Sequence, residues 1–191
     1  MANRLIFDIE TNGLAPTKVW CIVTEDIDSG VILTYVEGQW QLFNEAIAEA
    51  TEVVGHNILG TDFSGPKVTD TLVLSRLANP QREAHSLGHW GTTLGFPKGN
   101  YSDWTQFTPE MLEYCKQDVA VNREVYKALT KELTDFASSS VELEHDVAKI
   151  IQQQVTNGWL LDRPKARDLV AELQEKSYIL EEEVQRVFVP L

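Results

Sequence analysis

At 191 residues and 43% hydrophobic content, the chain is long enough for a real core, as one domain of roughly 140 residues with an appendage or as one larger domain. Lys and Arg number 16 against 29 Asp and Glu, a formal net charge of −13. That balance is the opposite of a free-standing nucleic-acid binder: either nucleic acid is not the ligand or metals and a basic partner domain compensate, which argues against a processive enzyme acting alone. No apolar run approaches the ~18 residues of a membrane span, and the N-terminal residues lack a signal peptide's basic and apolar regions. Cys21 and Cys115 are isolated, which points to a reducing compartment and away from structural zinc.

Leu5, Phe7 and Ile9 alternate with Ile6, Asp8 and Glu10 before Asn12-Gly13, the pattern of a short central strand running into a turn. Asp8 and Glu10 therefore share one face. Desolvation and mutual repulsion both oppose two carboxylates side by side on a buried strand, and a hard divalent cation between them removes the conflict. Asp-x-Glu alone is equally the pattern of a strand end whose acids reach solvent, so other ligands have to come from elsewhere.

Lys18 to Thr24 and Val31 to Val36 read as two further strands around the Asp28-Ser29-Gly30 turn, giving an antiparallel meander of three. Gln41 to Glu49 has helical spacing, and Glu52 to Gly55 is a short return strand. Strands, crossover helix and return strand predict an α/β domain with a mixed sheet. Asp70 caps a helix running to Leu77, and Ser86 to Leu94 is a second short helix carrying Trp90. His85 and His89 sit four apart, but no further metal ligands accompany them. Gly95 to Trp104 is loop. Thr108-Pro109 opens the longest helix, with an apolar seam of Leu112, Cys115, Val119, Tyr126, Leu129 and Leu133 interrupted by Asn122. Ser138-Ser139-Ser140 breaks the pattern and marks the expected boundary between residues 1–138 and 139–191. Beyond it, Val141 to Thr156 and Pro164 to Val187 read as amphipathic helices, the second capped by Asp162. Two helices in roughly 50 residues bury little by themselves, so this C-terminal helical extension reads as the start of something larger.

On the long helix, Tyr114 and Asp118 are four apart and share a face. Asp62 follows the return strand, after Gly55-His56-Asn57. Two acids from a strand, one from a strand end and one from a helix are the carboxylate set that a two-metal phosphoryl-transfer site needs.

The set Asp8-Ile9-Glu10-Thr11, His56-Asn57 with Asp62, and Tyr114-x-x-x-Asp118 resembles the three motifs of the DnaQ-like (DEDD) 3′→5′ exonucleases, in their tyrosine subclass. Val68 to Leu77, His85 to Gly91 and Glu113 to Asp118 resemble the proofreading domain of phage family A DNA polymerases. Glu142 to Asp146 and Asn157 to Asp162 look like the opening of that family's polymerase part, so the resemblance covers essentially the whole chain. It implies an RNase H-like fold, two Mg²⁺ or Mn²⁺ ions, and removal of nucleoside 5′-monophosphates from single-stranded DNA 3′ ends in the cytoplasm of an infected bacterial host. It further implies that Asp8 bridges both ions, that Glu10 and Asp118 complete the first ion's shell, and that Asp62 holds the second. Tyr114 would orient the attacking water, Leu14 would wedge against the terminal bases, and Thr11 and Asn57 would contact the terminal nucleotide or brace the site.

One departure bears on the second metal and not on the fold. In the family the second-motif acid opens a helix, whereas Asp62 is followed only by Phe63-Ser64-Gly65-Pro66-Lys67, and Gly65-Pro66 cannot continue one. No palm or fingers follow Leu191, so templated synthesis is left to a separate or missing polymerase part. The competing expectation is a catalytically weak scaffold that docks such a polymerase chain. A third is an RNA exonuclease on the same fold, against which the polymerase-like residues from Glu142 to Asp162 argue.

Overall fold

The structure, a computed structural model, describes residues 3–13, 16–60, 63 and 65–188. Strands β1 (Arg4–Thr11), β2 (Val19–Asp26) and β3 (Ile32–Val36) form the expected meander. Helix α1 (Trp40–Glu49) crosses to β4 (Glu52–Gly55), which lies parallel to β1. A fifth strand, β5 (Lys67–Asp70), extends the parallel edge and gives the order β3-β2-β1-β4-β5. With only four residues, β5 carries too little alternation for the sequence to show it as a strand.

Alternation along β1 divides the molecule into two packed layers. Leu5 and Phe7 point into a cluster with Ile22, Tyr35, Phe43, Ile47 and Val53 on the α1 side. Ile6 packs on the other side with Cys21, Val23, Val54, Met111, Cys115 and Val119, beneath the long helix α4 (Pro109–Glu132). Asp8 and Glu10 follow Ile6 at even spacing, so they share its face. Pairing with β4 runs only from Arg4 to Ile6, whereas pairing with β2 continues to Thr11. The acid-bearing end of the central strand is thus paired on one side and left open on the other.

Helices α2 (Thr71–Ala78) and α3 (Leu87–Thr93) pack Leu74, Leu87 and Trp90 against Val121, Val125 and Leu129 of α4. The Trp90 indole donates to Ser75 Oγ at 2.9 Å, and the same hydroxyl meets His85 Nδ1 at 2.8 Å. Asn122, the polar interruption of the α4 seam, is buried and accepts from Thr71 Oγ1 at 2.7 Å. Thr71 in turn meets His56 Nδ1, so a small closed network replaces apolar packing there.

The boundary expected at Ser138 is displaced. The three serines form the first turn of α5 (Ser138–Asn157), and the chain divides into compact units at Gln153/Gln154 instead. His145 is the reason. It is buried, its Nε2 accepts the Asp70 N–H at 2.9 Å, and its Nδ1–H donates to Val141 O at 2.8 Å. A buried backbone N–H at the start of α2 needs that acceptor, which ties the first half of α5 to the first unit. The second unit, from Gln154, holds the end of α5 and α6 (Arg163–Val187), whose N-cap Asp162 accepts from Lys165 N. No α6 residue is buried, and Leu169, Leu173 and Leu180 are exposed. Among the described residues, no helix is long and apolar enough to cross a membrane.

This arrangement shifts where a protease should act. Cutting of the native protein is expected first between Gln154 and Asp162, with residues 138–153 protected. His145→Ala should extend cutting into that protected stretch, because it leaves the Asp70 amide unsatisfied. Mass mapping of the first fragments checks both. Early cutting at Ser138 to Ser140 in the unsubstituted chain would contradict the His145 anchor.

Candidate active site

The site is assembled where β1 meets the first turns of α4. Thr108 caps that helix by accepting from Met111 N at 3.1 Å, and Pro109 fixes its first residue. The register so set places Tyr114 and Asp118 one turn apart over the open end of β1. Cys115 lies between them and donates its thiol to Asp8 O at 3.5 Å, seating the helix on the strand.

Asp8 is half-buried, while Glu10 and Asp118 are 7% and 3% exposed. Glu10 Oε1 and Asp118 Oδ1 are buried and have no hydrogen-bond partner among the described residues. Burial, reinforced by Glu10 and Asp118, pushes the Asp8 carboxyl well above its ordinary range. Burial and then Asp118 raise Glu10 to about 7. Burial also raises Asp118, against the opposing pull of Lys98. Three carboxylates are therefore held where their charged forms are disfavoured.

Lys98 is the counter-charge that the sequence reading missed. Its Nζ lies 2.5 Å from Asp118 Oδ2 and 5.0 Å from the Tyr114 ring centroid. Burial works against its ammonium, but hydrogen bonds to Asp118 and Tyr114 outweigh that and hold its pKa above the usual lysine value. The loop carrying it is clamped onto α4. Gln117 Nε2 donates to Pro97 O at 3.0 Å, and Gly99 lies so close that a Cβ there would sit 3.1 Å from Tyr114 Cδ2. Trp104 and Tyr101 flank the Tyr114 ring at centroid distances of 5.7 and 5.9 Å. Burial raises the Tyr114 phenol, so it keeps its proton and serves as a hydrogen-bonding group rather than a base. A lone lysine between Pro97 and Gly99 has no spacing that would single it out.

Four of the expected site residues, Asp8, Glu10, Tyr114 and Asp118, thus converge, with one qualification. Asp118 is turned onto Lys98, and the donors brought within 4.8 Å of one another are those of Asp8, Glu10 and Cys115. Thr11 ends β1 and donates its hydroxyl to Gly13 O within the following turn. Asn57 follows β4 in a left-handed conformation, with φ of 62°. Its N–H and that of Ile58 donate to the two oxygens of Asp70, at 2.8 and 2.7 Å. Asp70, which also caps α2, is a clamp on this turn. His56 is pushed down to about 4, chiefly by burial, so it is neutral in its bond to Thr71. Leu14 and Asp62 lie outside the described residues.

A divalent cation fits the donor set. Among the described residues, one ammonium faces three carboxylates and two of their buried oxygens lack a partner, and hard oxygen donors suit Mg²⁺ or Mn²⁺.

No family model matches the chain. It is homologous to the DNA-directed DNA polymerases of Enterobacteria phage T3 and Escherichia phage T7, with 26% and 25% identity over 88% of its length. It spans only 35% of theirs. The alignment runs over 247 positions, more than the chain's 191 residues, so those relatives carry segments that this chain lacks. Among solved structures, Brucella melitensis NrnC with bound Mg²⁺ superposes with a TM-score of 0.64, at 19% identity, covering 83% of this chain and 88% of that one. An apo nuclease gives 0.64 at 21% identity, over 82% and 86% of the two chains. The catalytic core of RRP6 from Trypanosoma brucei gives 0.57 at 14% identity, over 79% and 46%. The fold is the RNase H-like mixed α/β sheet.

Acids raised by folding make stability depend on pH with a definite sign. The native state holds protons that the unfolded chain has released, so stability falls as pH rises through the native values, for Glu10 between 4.5 and about 7. In metal-free buffer, Asp8→Asn with Glu10→Gln should raise the thermal midpoint at about pH 8, and the two curves should converge near pH 4. A thermal melt series over pH checks this, and a double variant that is less stable at every pH would contradict it.

Proposed function

We propose that the chain is a divalent-metal-dependent 3′→5′ exonuclease module that acts on single-stranded DNA ends and proofreads for a phage-type polymerase. The observation that carries this is the pair of buried, unpartnered oxygens on Glu10 and Asp118 beside Asp8, with Tyr114 one turn from Asp118. The similarity to phage polymerases supports DNA over RNA. Asp8, Glu10 and Asp118 would hold the first ion, and Asp62 would contribute to a second. The chemistry that ions held there would supply is a lower pKa for a bound water and stabilisation of charge on the phosphodiester and the leaving 3′ oxygen. The protein's own work is positional. Tyr114, protonated and braced by Trp104 and Tyr101, orients the attacking water through its hydroxyl. Lys98 keeps Asp118 paired until an ion competes for it. Thr11, Leu14 and Asn57 would contact the terminal nucleotide or brace the site.

A second reading, a catalytically weak scaffold docking a polymerase chain, is favoured by one observation. Gly65-Pro66 cuts short the segment after Asp62, and the relatives carry segments missing here.

With Mg²⁺ or Mn²⁺, a labelled single strand should shorten from its 3′ end with release of nucleoside 5′-monophosphates. Asp8→Ala with Glu10→Ala should reduce the rate by roughly 10²–10³ or more, since it removes the charge-stabilising ligands. Full activity in that double variant would refute the site. A natively folded chain that cuts neither DNA nor RNA but binds a polymerase would favour the scaffold.

Lys98→Met should tighten binding of the first ion in calorimetry, because a positive charge no longer competes for Asp118. Unchanged affinity would show that the ammonium is not in the ion's way.

A further inference from the structure

We infer that Cys115 makes the floor of this site a mixed oxygen–sulfur position for a thiophilic divalent cation of the Zn²⁺ class, ligated by one carboxylate oxygen each from Asp8 and Glu10 and by the Cys115 sulfur.

The geometry comes first. The three donor atoms lie within 4.8 Å of one another. A tetrahedral ion with bonds of about 2.0–2.3 Å spans such a set with a small closure of side chains, leaving a fourth position for water. The ligands stand on rigid elements, two on the central strand and one on α4, and the thiol already touches the Asp8 carbonyl. Among the described residues, Glu10 Oε1 has no hydrogen-bond partner on a side chain only 7% exposed, so its lone pairs are available to a cation. Asp8 is half-buried, so the position has a route to solvent.

Ligand chemistry then selects the ion. Hard Mg²⁺ has no use for a thiolate, whereas Zn²⁺ and Cd²⁺ bind sulfur strongly. On binding, the S–H bond breaks, a sulfur–metal bond forms and the proton leaves to solvent, with no change of oxidation state. Cys21 backs the site. It is the cross-strand partner of Glu10 and packs with Cys115 in one buried cluster, so it supports the ligand from behind. The inference stands on these residues alone and does not need the nuclease reading. If both hold, a soft ion and a hard ion compete for Asp8 and Glu10.

The test uses the full reduced chain and no DNA. Titration with Cd²⁺ should produce the ultraviolet thiolate-to-metal absorption band. The band should persist in Cys21→Ser and vanish in Cys115→Ser. Calorimetry should show Zn²⁺ affinity falling at least about tenfold in Cys115→Ser, since losing even an outer partner costs about 10–100-fold. Mg²⁺ affinity should hold. A second variant, Asp8→Asn with Glu10→Gln, keeps both thiols and should also weaken Cd²⁺ binding, which covers the case in which Cys115→Ser does not fold. No band in the unsubstituted chain, a band that survives Cys115→Ser, or Cd²⁺ affinity unchanged in the acid double variant would each overturn the proposal.

Discussion

The site depends on one electrostatic imbalance, with a single ammonium facing three carboxylates that the fold has taken out of water. A neighbouring pair shows the usual solution. Glu25 on β2 is 2% exposed and is met at 2.5 Å by Arg123 of α4, a guanidinium that also pairs with Glu124. Farther along the same sheet face and the same helix, Lys98 serves Asp118 while Asp8 and Glu10 receive only its distant field. Breaking or withholding a partner from a buried charge costs several kcal/mol, by general estimates. Such a cost is tolerable where a cation completes the set, and the rest of the domain is arranged to hold the three acids in place.

Two sets of contacts do that holding. On one flank, the Thr108 cap, the Cys115 thiol and the clamped loop around Lys98 fix α4 to β1. On the other flank, Asp70 grips the Asn57 turn through two amides, and Thr71 links His56 to Asn122. His145 closes this second set from α5. The polar groups at the end of β4 are thereby satisfied within the protein rather than by solvent. That accounts for the neutral His56 and for an asparagine in the middle of an apolar helix seam.

How much of this was legible follows from the range of each interaction. Alternation along β1 placed Asp8 and Glu10 on one face, helical spacing paired Tyr114 with Asp118, and Thr108-Pro109 and Asp70 marked helix starts, all local effects written within a few residues. Strand β5 has four residues and is defined by its neighbour β4, so no local pattern announced it. Ser138 to Ser140 read as a break because serines favour caps and turns, yet the anchoring His145 lies beyond them and meets a partner 75 residues away. Lys98 has the same character. Cys115 read as one more apolar position on the seam, which it is, and only the fold shows its sulfur beside two acids.

The overall charge sharpens the role of the cations. A chain of net charge −13 repels a polyanion, and Lys98 is already committed to Asp118. Any phosphodiester entering here meets Asp8, Glu10 and Asp118 first, so approach is unfavourable until positive charge is added at that place. Divalent ions held there would add it where the acids are densest, relieving the carboxylates and attracting the phosphate together. The acids that make the bare site costly would, under the nuclease reading, be the same groups that make it selective for a cation-neutralised substrate. Under the nuclease reading, affinity and chemistry would depend on one event, the loading of Asp8, Glu10 and Asp118.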